Sequence, residues 1–145
     1  MKSWVIAKLL WNPDQDTDAL ISEFIADYYG CAAPYIQQYF DLCKDLVKPD
    51  TVMGIYINEW NPLYSDEFIA QAARILDEAA SVSMNDEIIR HRVDLVRLQI
   101  CFLRVMRSPQ ETANDGTKEW LIDFVIRHNI RMNEVIPTPE FVKKL

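Results

Sequence analysis

Apolar side chains recur at helical spacing along nearly the whole chain, and this pattern limits the possible folds more than any other feature. In the stretch from Asp16 to Tyr29 they fall at i, i+4 and i+8, as on the buried face of an amphipathic helix. Half of the 145 residues are hydrophobic and only three are glycine, which is typical of a helical protein with a well-packed core. The sequence therefore predicts an all-α fold.

Capping and breaking residues divide this pattern into separate helices. Gly30 is expected to end one helix, because a C′ residue often needs a positive φ, and Pro34 fits the first turn of the next. Ser65 is expected to cap a third. The predicted helices span 4–11, 16–29, 32–47, 65–83, 85–107 and 117–132, with a short last helix from Thr138. Short connections favour an antiparallel hairpin of 16–29 with 32–47.

The whole arrangement is predicted to be an up-and-down bundle of about five to six helices. One irregular, aromatic-rich segment interrupts it at 51–64, and a loop is expected at 108–116. The chain length predicts a single domain over 1–145.

The predicted 85–107 helix carries two apolar stripes, which indicates burial on two sides. The stripes are Ile89, Val93, Val96, Ile100 and Leu103, and Ile88, Leu95, Leu98, Phe102 and Met106. Arg90, Arg97 and Arg104 recur every seven residues, and Asp94 lies one turn from two of them. We therefore expect a polar face with local ion pairs between the stripes.

Charge and hydropathy exclude some partners. With 22 acidic and 15 basic residues, the formal charge is −7, which would repel a phosphate backbone. No stretch approaches the roughly 18 apolar residues of a membrane span. We therefore predict neither a nucleic-acid partner nor a membrane partner. The sequence shows no signal peptide and leaves the localisation of the chain open.

The cysteines and histidines do not form a recognisable metal or disulfide pattern. Cys31, Cys43 and Cys101 show no CxxC spacing and are expected to be buried small hydrophobes, although one pair could form if a parent protein is exported. His91 and His128 each lack a second ligand at the spacing of a zinc site. We predict no metal and no cofactor.

No catalytic motif is present either. Residues 14–18 imitate the start of a calcium loop, but Ala19 stands where glycine is needed and Ile25 where a bidentate glutamate belongs. Capping of the next helix explains these acids. The sequence contains no G-x-S-x-G, P-loop or G-x-G-x-x-G. The prediction is a chain without catalytic residues of its own.

The irregular segment contains the candidates for ligand contact. They are Tyr56, Asn58, Glu59, Trp60 and Tyr64. Aromatic faces stack on the C–H surfaces of sugars, while amides and carboxylates bond hydroxyl groups. The alternative is that the aromatic rings cap the helical core or pack on a neighbouring protein.

Several segments resemble a family of bacterial glycoside-hydrolase-like proteins that is known as a domain of unknown function and is related to α-glucuronidases and β-hexosaminidases. They are WVIAKLLWNPD at 4–14, FIADYYG at 24–30, AAPYI at 32–36, YSDE at 64–67 and the 92–104 helix. The resemblance implies a catalytic (β/α)₈ barrel, absent from this sequence, followed by a helical C-terminal region. Barrel active sites lie on loops after the strands, so no catalytic residue can be transferred here.

The resemblance suggests a non-catalytic accessory domain that packs on the catalytic barrel of a parent glycoside hydrolase. The chain would then be a C-terminal fragment, its partners would include the barrel and an oligosaccharide or polysaccharide, and the parent could be periplasmic or secreted. The alternative is a self-contained helical module for protein interaction or homodimerisation. Trp4 and Trp11 are the candidate interface residues for either reading.

Overall fold

The computed structural model describes residues 1–48, 51 and 59–130, and the regular elements within these ranges are α-helices and one 3₁₀ turn, joined by turns and irregular segments. The elements are α1 Lys2–Trp11, α2 Thr17–Tyr29, a 3₁₀ turn Gly30–Ala32, α3 Ala33–Leu46, α4 Asp66–Val82, α5 Glu87–Arg107, α6 Pro109–Asn114 and α7 Thr117–Arg127. The all-α prediction is confirmed. The short helix predicted from Thr138 lies outside the described residues.

The chain divides into two compact units. The first comprises Met1–Thr51 and Arg74–Val96, and the second comprises Val52–Ala73 and Arg97–Leu145. The helices α4 and α5 therefore each contribute residues to both units. That 1–145 forms one domain stays a prediction.

In the first unit, α2 and α3 form the predicted antiparallel hairpin. The Ser22 hydroxyl donates to Oε1 of Gln37 at 3.3 Å, and Nζ of Lys44 donates to Oδ1 of Asp18 at 3.0 Å. Positions thus pair in opposite order along the two helices. The buried apolar residues of this unit are Val5, Leu20, Ile25, Ala32, Ile36, Leu76, Ala79, Ala80 and Val93.

Gly30 makes the turn between α2 and α3 possible. Its φ is +48°, a conformation that residues with a Cβ rarely adopt. A Cβ at this position would lie 2.7 Å from Cδ1 of Ile89. The positive φ therefore requires glycine, as the sequence predicted, whereas the end of the flexible Ile89 side chain can shift away from a Cβ.

Three helices begin with a side-chain cap, and the predicted cap Ser65 is one of them. Oδ1 of Asp16 accepts hydrogen bonds from the amides of Asp18 and Ala19 at 2.9 and 3.2 Å, so capping accounts for an acid in the calcium-loop-like run. Oγ of Ser65 accepts the Phe68 amide at 3.1 Å. Asp86 caps α5 in the same way, accepting from two amides of its first turn.

The core of the second unit lies where the C-terminal half of α5 meets α7. It contains Leu98, Cys101, Val105, Leu121, Phe124 and Val125, with Phe102, Trp120 and Ile130 at its edge. The Trp120 ring stacks on Phe124 with centroids 5.1 Å apart, and the Arg97 guanidinium lies 4.8 Å from the Trp120 centroid. Burial of these large side chains is the main stabilising contribution in this unit.

Two boundaries predicted for the second unit were wrong. The expected loop at 108–116 contains α6, which begins with Pro109, a residue well suited to a first helical turn. The helix expected to reach Met132 ends at Arg127 instead. Asn129 has a φ of +49°, and the Ile130 amide donates to the Val125 carbonyl at 3.0 Å. This left-handed C-terminal motif ends α7.

Burial also differs from prediction in the first unit. Ile88 and Leu95, from the second predicted stripe of α5, are exposed, whereas Val93 from the first stripe is fully buried. Cys31 is exposed as well, and its thiol donates to the Val82 carbonyl at 3.5 Å. The 3₁₀ turn puts the next residue, Ala32, into the core instead. Cys101 is buried as expected.

Arginines of α5 form ion pairs both within the helix and with a residue beyond its end. Nε of Arg90 lies 2.9 Å from Oδ2 of Asp94, one helical turn away, as predicted. Arg104 instead pairs with Asp115, whose Oδ2 is 2.5 Å from Nη2. A side-chain hydrogen bond from Thr117 and the nearby Arg104 charge hold the pKa of Asp115 below its usual value.

Candidate functional site

The two candidate interface tryptophans of α1 lie in different surroundings. Trp4 is half-buried. Its ring centroid lies 5.6 Å from the Phe24 centroid and 4.8 Å from Nζ of Lys8. Trp11, at the end of the helix, is 91% exposed. The structure therefore packs Trp4 within the first unit and leaves Trp11 at the surface.

Trp11 belongs to a small apolar surface. Leu10 is 82% exposed, and Ile6, four residues before it, and Ala7, four residues before Trp11, are exposed too; residues three or four apart are neighbours on a helix surface. We call Ile6, Leu10 and Trp11 the outer face of α1. Exposed apolar side chains are common one at a time, but a contiguous group of them is typical of an interaction surface.

The other side of α1 attaches it to the first unit. Val5 is buried there, and Nζ of Lys8 lies 3.6 Å from Oε1 of Glu23. Nε2 of Gln15 donates to the carbonyls of Lys8 and Asn12 at 3.1 and 3.2 Å, which satisfies acceptors at the helix end. The outer face is therefore carried on a helix held in place by several kinds of contact.

Opposite charges lie at the two ends of the outer face. Lys2 lies at the start of α1, and Asp14, Asp16 and Asp18 follow within seven residues of its end. The outer face thus has a basic residue before it in the sequence and acidic residues after it.

Three of the five candidate ligand residues, Glu59, Trp60 and Tyr64, are described, whereas Tyr56 and Asn58 lie outside the described residues. Residues 59–65 form consecutive turns, which we call the Trp60 turn. The side chain of Asn61 accepts the Leu63 amide at 2.9 Å, and its carbonyl accepts the Tyr64 amide at 2.9 Å. Asn61 therefore bends the chain twice between the aromatic residues.

The two aromatic rings of this turn have different roles. Tyr64 stacks on the buried ring of Phe68, with centroids 6.2 Å apart. Trp60 is 63% exposed. The structure thus brings Glu59, Trp60 and Tyr64 into one turn but directs only the tryptophan ring mainly to the surface.

Arg107 holds the Trp60 turn, a role that the sequence analysis missed. Its Nε donates to the Glu59 carbonyl at 2.7 Å, its Nη2 to the Asn61 carbonyl at 3.4 Å and its Nη1 to Oδ1 of Asp66 at 3.0 Å. The guanidinium carbon lies 5.6 Å from the Trp60 centroid. One nearly buried cation thus binds the backbone on both sides of Trp60 and contacts its ring.

Metal-binding side chains do not cluster within the described ranges. No group of three or more His, Cys, Asp or Glu residues there could hold a metal ion. His128 lies at the C-terminal cap of α7, with its ring 4.5 Å from that of Phe124, and His91 is half-buried on α5. Among the described helices, none is long and apolar enough to cross a membrane.

Comparison with known proteins gives one match. Residues 1–41 match the sequence model of a family described as a domain of unknown function (DUF4838). This segment covers α1, α2, the 3₁₀ turn and the first part of α3. No curated protein and no solved structure matches the chain significantly. The match supports a domain-of-unknown-function family for the start of the chain, which includes the outer face of α1.

Proposed function

We propose that this chain is a non-catalytic helical accessory domain of a carbohydrate-active protein, and that the outer face of α1 docks on the catalytic barrel of that protein. The observation that carries the proposal is the exposure of Leu10 and Trp11 beside Ile6, on a helix that the first unit holds in place. Tryptophan is enriched among the residues that contribute most to the binding energy of protein interfaces.

The barrel as partner rests on sequence resemblance. The WVIAKLLWNPD segment at 4–14 contains the whole outer face, and in the glycoside-hydrolase-like family it falls where the last barrel helix leads into the helical region. The family match over residues 1–41 includes the same segment. Docking would cover an apolar surface that otherwise costs free energy in water.

The size of the native protein is the first test. An antibody against this chain should detect, in extracts of the source cells, a protein much larger than the 16.9 kDa of these 145 residues. A band at 16.9 kDa would contradict the accessory-domain proposal.

Photocrosslinking tests the docking surface directly. Trp11 in the full native protein is replaced by benzoylphenylalanine, and the crosslinked peptides are identified by mass spectrometry. We expect crosslinks from position 11 to barrel peptides. The same probe at Gln110, an exposed position of α6, is the matched control and should give none. Equal barrel crosslinking from both positions, or none from position 11, would reject docking through α1.

The second candidate is a self-contained module that dimerises through the same face. The charges favour it, because an antiparallel pair of α1 helices in a two-fold dimer would bring Lys2 of one copy near Asp14 and Asp16 of the other. Light scattering coupled to gel filtration should then show a dimer that Trp11→Ser and Leu10→Ser convert to monomer. A monomer at all concentrations would exclude this candidate.

A further inference from the structure

We propose that the Trp60 turn is a binding site for a neutral saccharide, in which the Trp60 ring stacks on a pyranose face and Arg107 acts as the positioning residue. The inference is independent of docking through α1, since it concerns residues of the second unit alone. It begins from the chemical surroundings of the exposed indole.

Trp60 differs from an ordinary apolar contact residue because the guanidinium that pairs with Asp66 lies 5.6 Å from its ring centroid. Ser65, Asp66 and Glu67 follow in sequence and are all exposed, and the Asp66 side chain is 95% exposed. An apolar protein partner would have to take the exposed side of the Asp66 carboxylate out of water, which is costly. A sugar presents C–H groups on one face and hydroxyl groups at its edge, so it can match an indole ring that lies beside an arginine–carboxylate pair.

The guanidinium of Arg107 brings the stacking and hydrogen-bonding groups together. It contacts the Trp60 ring and Oδ1 of Asp66 at the same time, so the ring and the carboxylate lie beside one cation. The Arg107 side chain is itself only 13% exposed. It can therefore orient these groups while leaving most of the indole surface open to a ligand.

Hydrogen bonds preorganise the backbone around Trp60. The Glu59 and Asn61 carbonyls, on either side of Trp60, both accept from Arg107, and Asn61 closes the next turn through its side chain. A ring held in this way loses little conformational entropy on binding, which favours affinity in a small site. Lysine cannot replace these contacts, because a single ammonium lacks the planar fork that reaches several acceptors at once.

The test is a titration followed by NMR at the four tryptophan indole N–H groups, with the whole chain labelled with ¹⁵N. The probes are xylo-, cello- and chito-oligosaccharides at millimolar concentration. We expect saturable shifts of the Trp60 indole signal with at least one of them. Arg107→Lys should weaken this binding by about tenfold while the Trp60 signal remains present. Trp11→Ala, which removes another exposed indole, should leave the affinity unchanged.

Three outcomes would overturn the inference. The first is no shift of the Trp60 signal with any of the three probes, and the second is an equal affinity in Trp60→Ala. The third is an unchanged affinity in Arg107→Lys, which would remove Arg107 as positioning residue. Failure of crosslinking from position 11 would leave these results unaffected, so the two proposals fail separately.

Discussion

The outer face of α1 and the Trp60 turn each expose a tryptophan, but the two are built differently. Trp11 extends a group of apolar side chains on a regular helix, and the residues that hold this helix lie on its other side. Trp60 stands in a chain of turns, among polar side chains, and a single arginine fixes the backbone around it. The first arrangement suits an apolar protein surface, and the second suits a small polar ligand.

The comparison shows that exposure of an aromatic ring does not by itself indicate a partner class. The neighbours decide, because they determine which polar groups a partner must desolvate or satisfy. Around Trp11 the neighbours Leu10 and Ile6 require nothing polar from a partner. Beside Trp60, the pair of Arg107 and the exposed Asp66 carboxylate requires polar contacts from a partner.

The largest change in the free energy of unfolding is expected at Phe68, in the core beneath the Trp60 turn. Phe68 is buried under Tyr64, so Phe68→Ala should lower the free energy of unfolding by about 3–5 kcal/mol. Trp60→Ala should change it by less than about 0.5 kcal/mol. Urea denaturation followed by circular dichroism measures both. Similar costs for the two variants would mean that Trp60 is a core residue and not an exposed stacking surface.

Substitutions on the buried and exposed sides of α1 should also differ in their cost to the free energy of unfolding, but by a smaller amount than Phe68→Ala and Trp60→Ala. Val5→Ala removes two buried methyl groups and should cost about 2 kcal/mol. Leu10→Ala removes more carbon from an exposed position and should cost less than about 0.5 kcal/mol. The measurement is again the free energy of unfolding in urea. A larger cost for Leu10→Ala would show that this chain itself covers the outer face, and the docking proposal would lose its basis.

Arg107→Lys should cost about 1–2 kcal/mol, because it removes hydrogen bonds from a charged group to the carbonyls of Glu59 and Asn61. Asp66→Asn is the matched control. It removes only the exposed partner of Arg107 and should cost less than about 1 kcal/mol. If Asp66→Asn were the more costly change, the ion pair and not the backbone contacts would fix the Trp60 turn.

Features that depend on a few neighbouring residues could be predicted from the sequence. Asp16, Ser65 and Asp86 cap helices because their side chains reach amides two or three residues ahead, and Gly30 is needed where the backbone takes a positive φ. Such interactions are local, so one sequence contains the information for them. The same holds for the helical spacing that predicted the fold class.

Features that depend on distant contacts could not be predicted in this way. Val5 and Leu10 are both apolar residues of α1, and only packing on the rest of the first unit buries one and exposes the other. Arg107 reaches carbonyls more than 40 positions away, and nothing in its own sequence surroundings distinguishes it from Arg104. The Trp60 turn was therefore predicted as an aromatic segment, while the residue that fixes it was missed.

The smallest predicted effect concerns the charge pair that joins α1 to α2. Lys8 and Glu23 lie 3.6 Å apart and both side chains are more than 40% exposed, so water and salt screen their attraction. Glu23→Gln should therefore lower the free energy of unfolding by less than about 0.5 kcal/mol, and the difference should vanish at about 1 M salt. Urea denaturation of both proteins at low and high salt measures this. A cost equal to that of Val5→Ala, or one that persists at high salt, would mean that charge and not apolar burial fixes α1. The orientation of the outer face would then depend on Lys8, and the contrast with the arginine-held Trp60 turn would disappear.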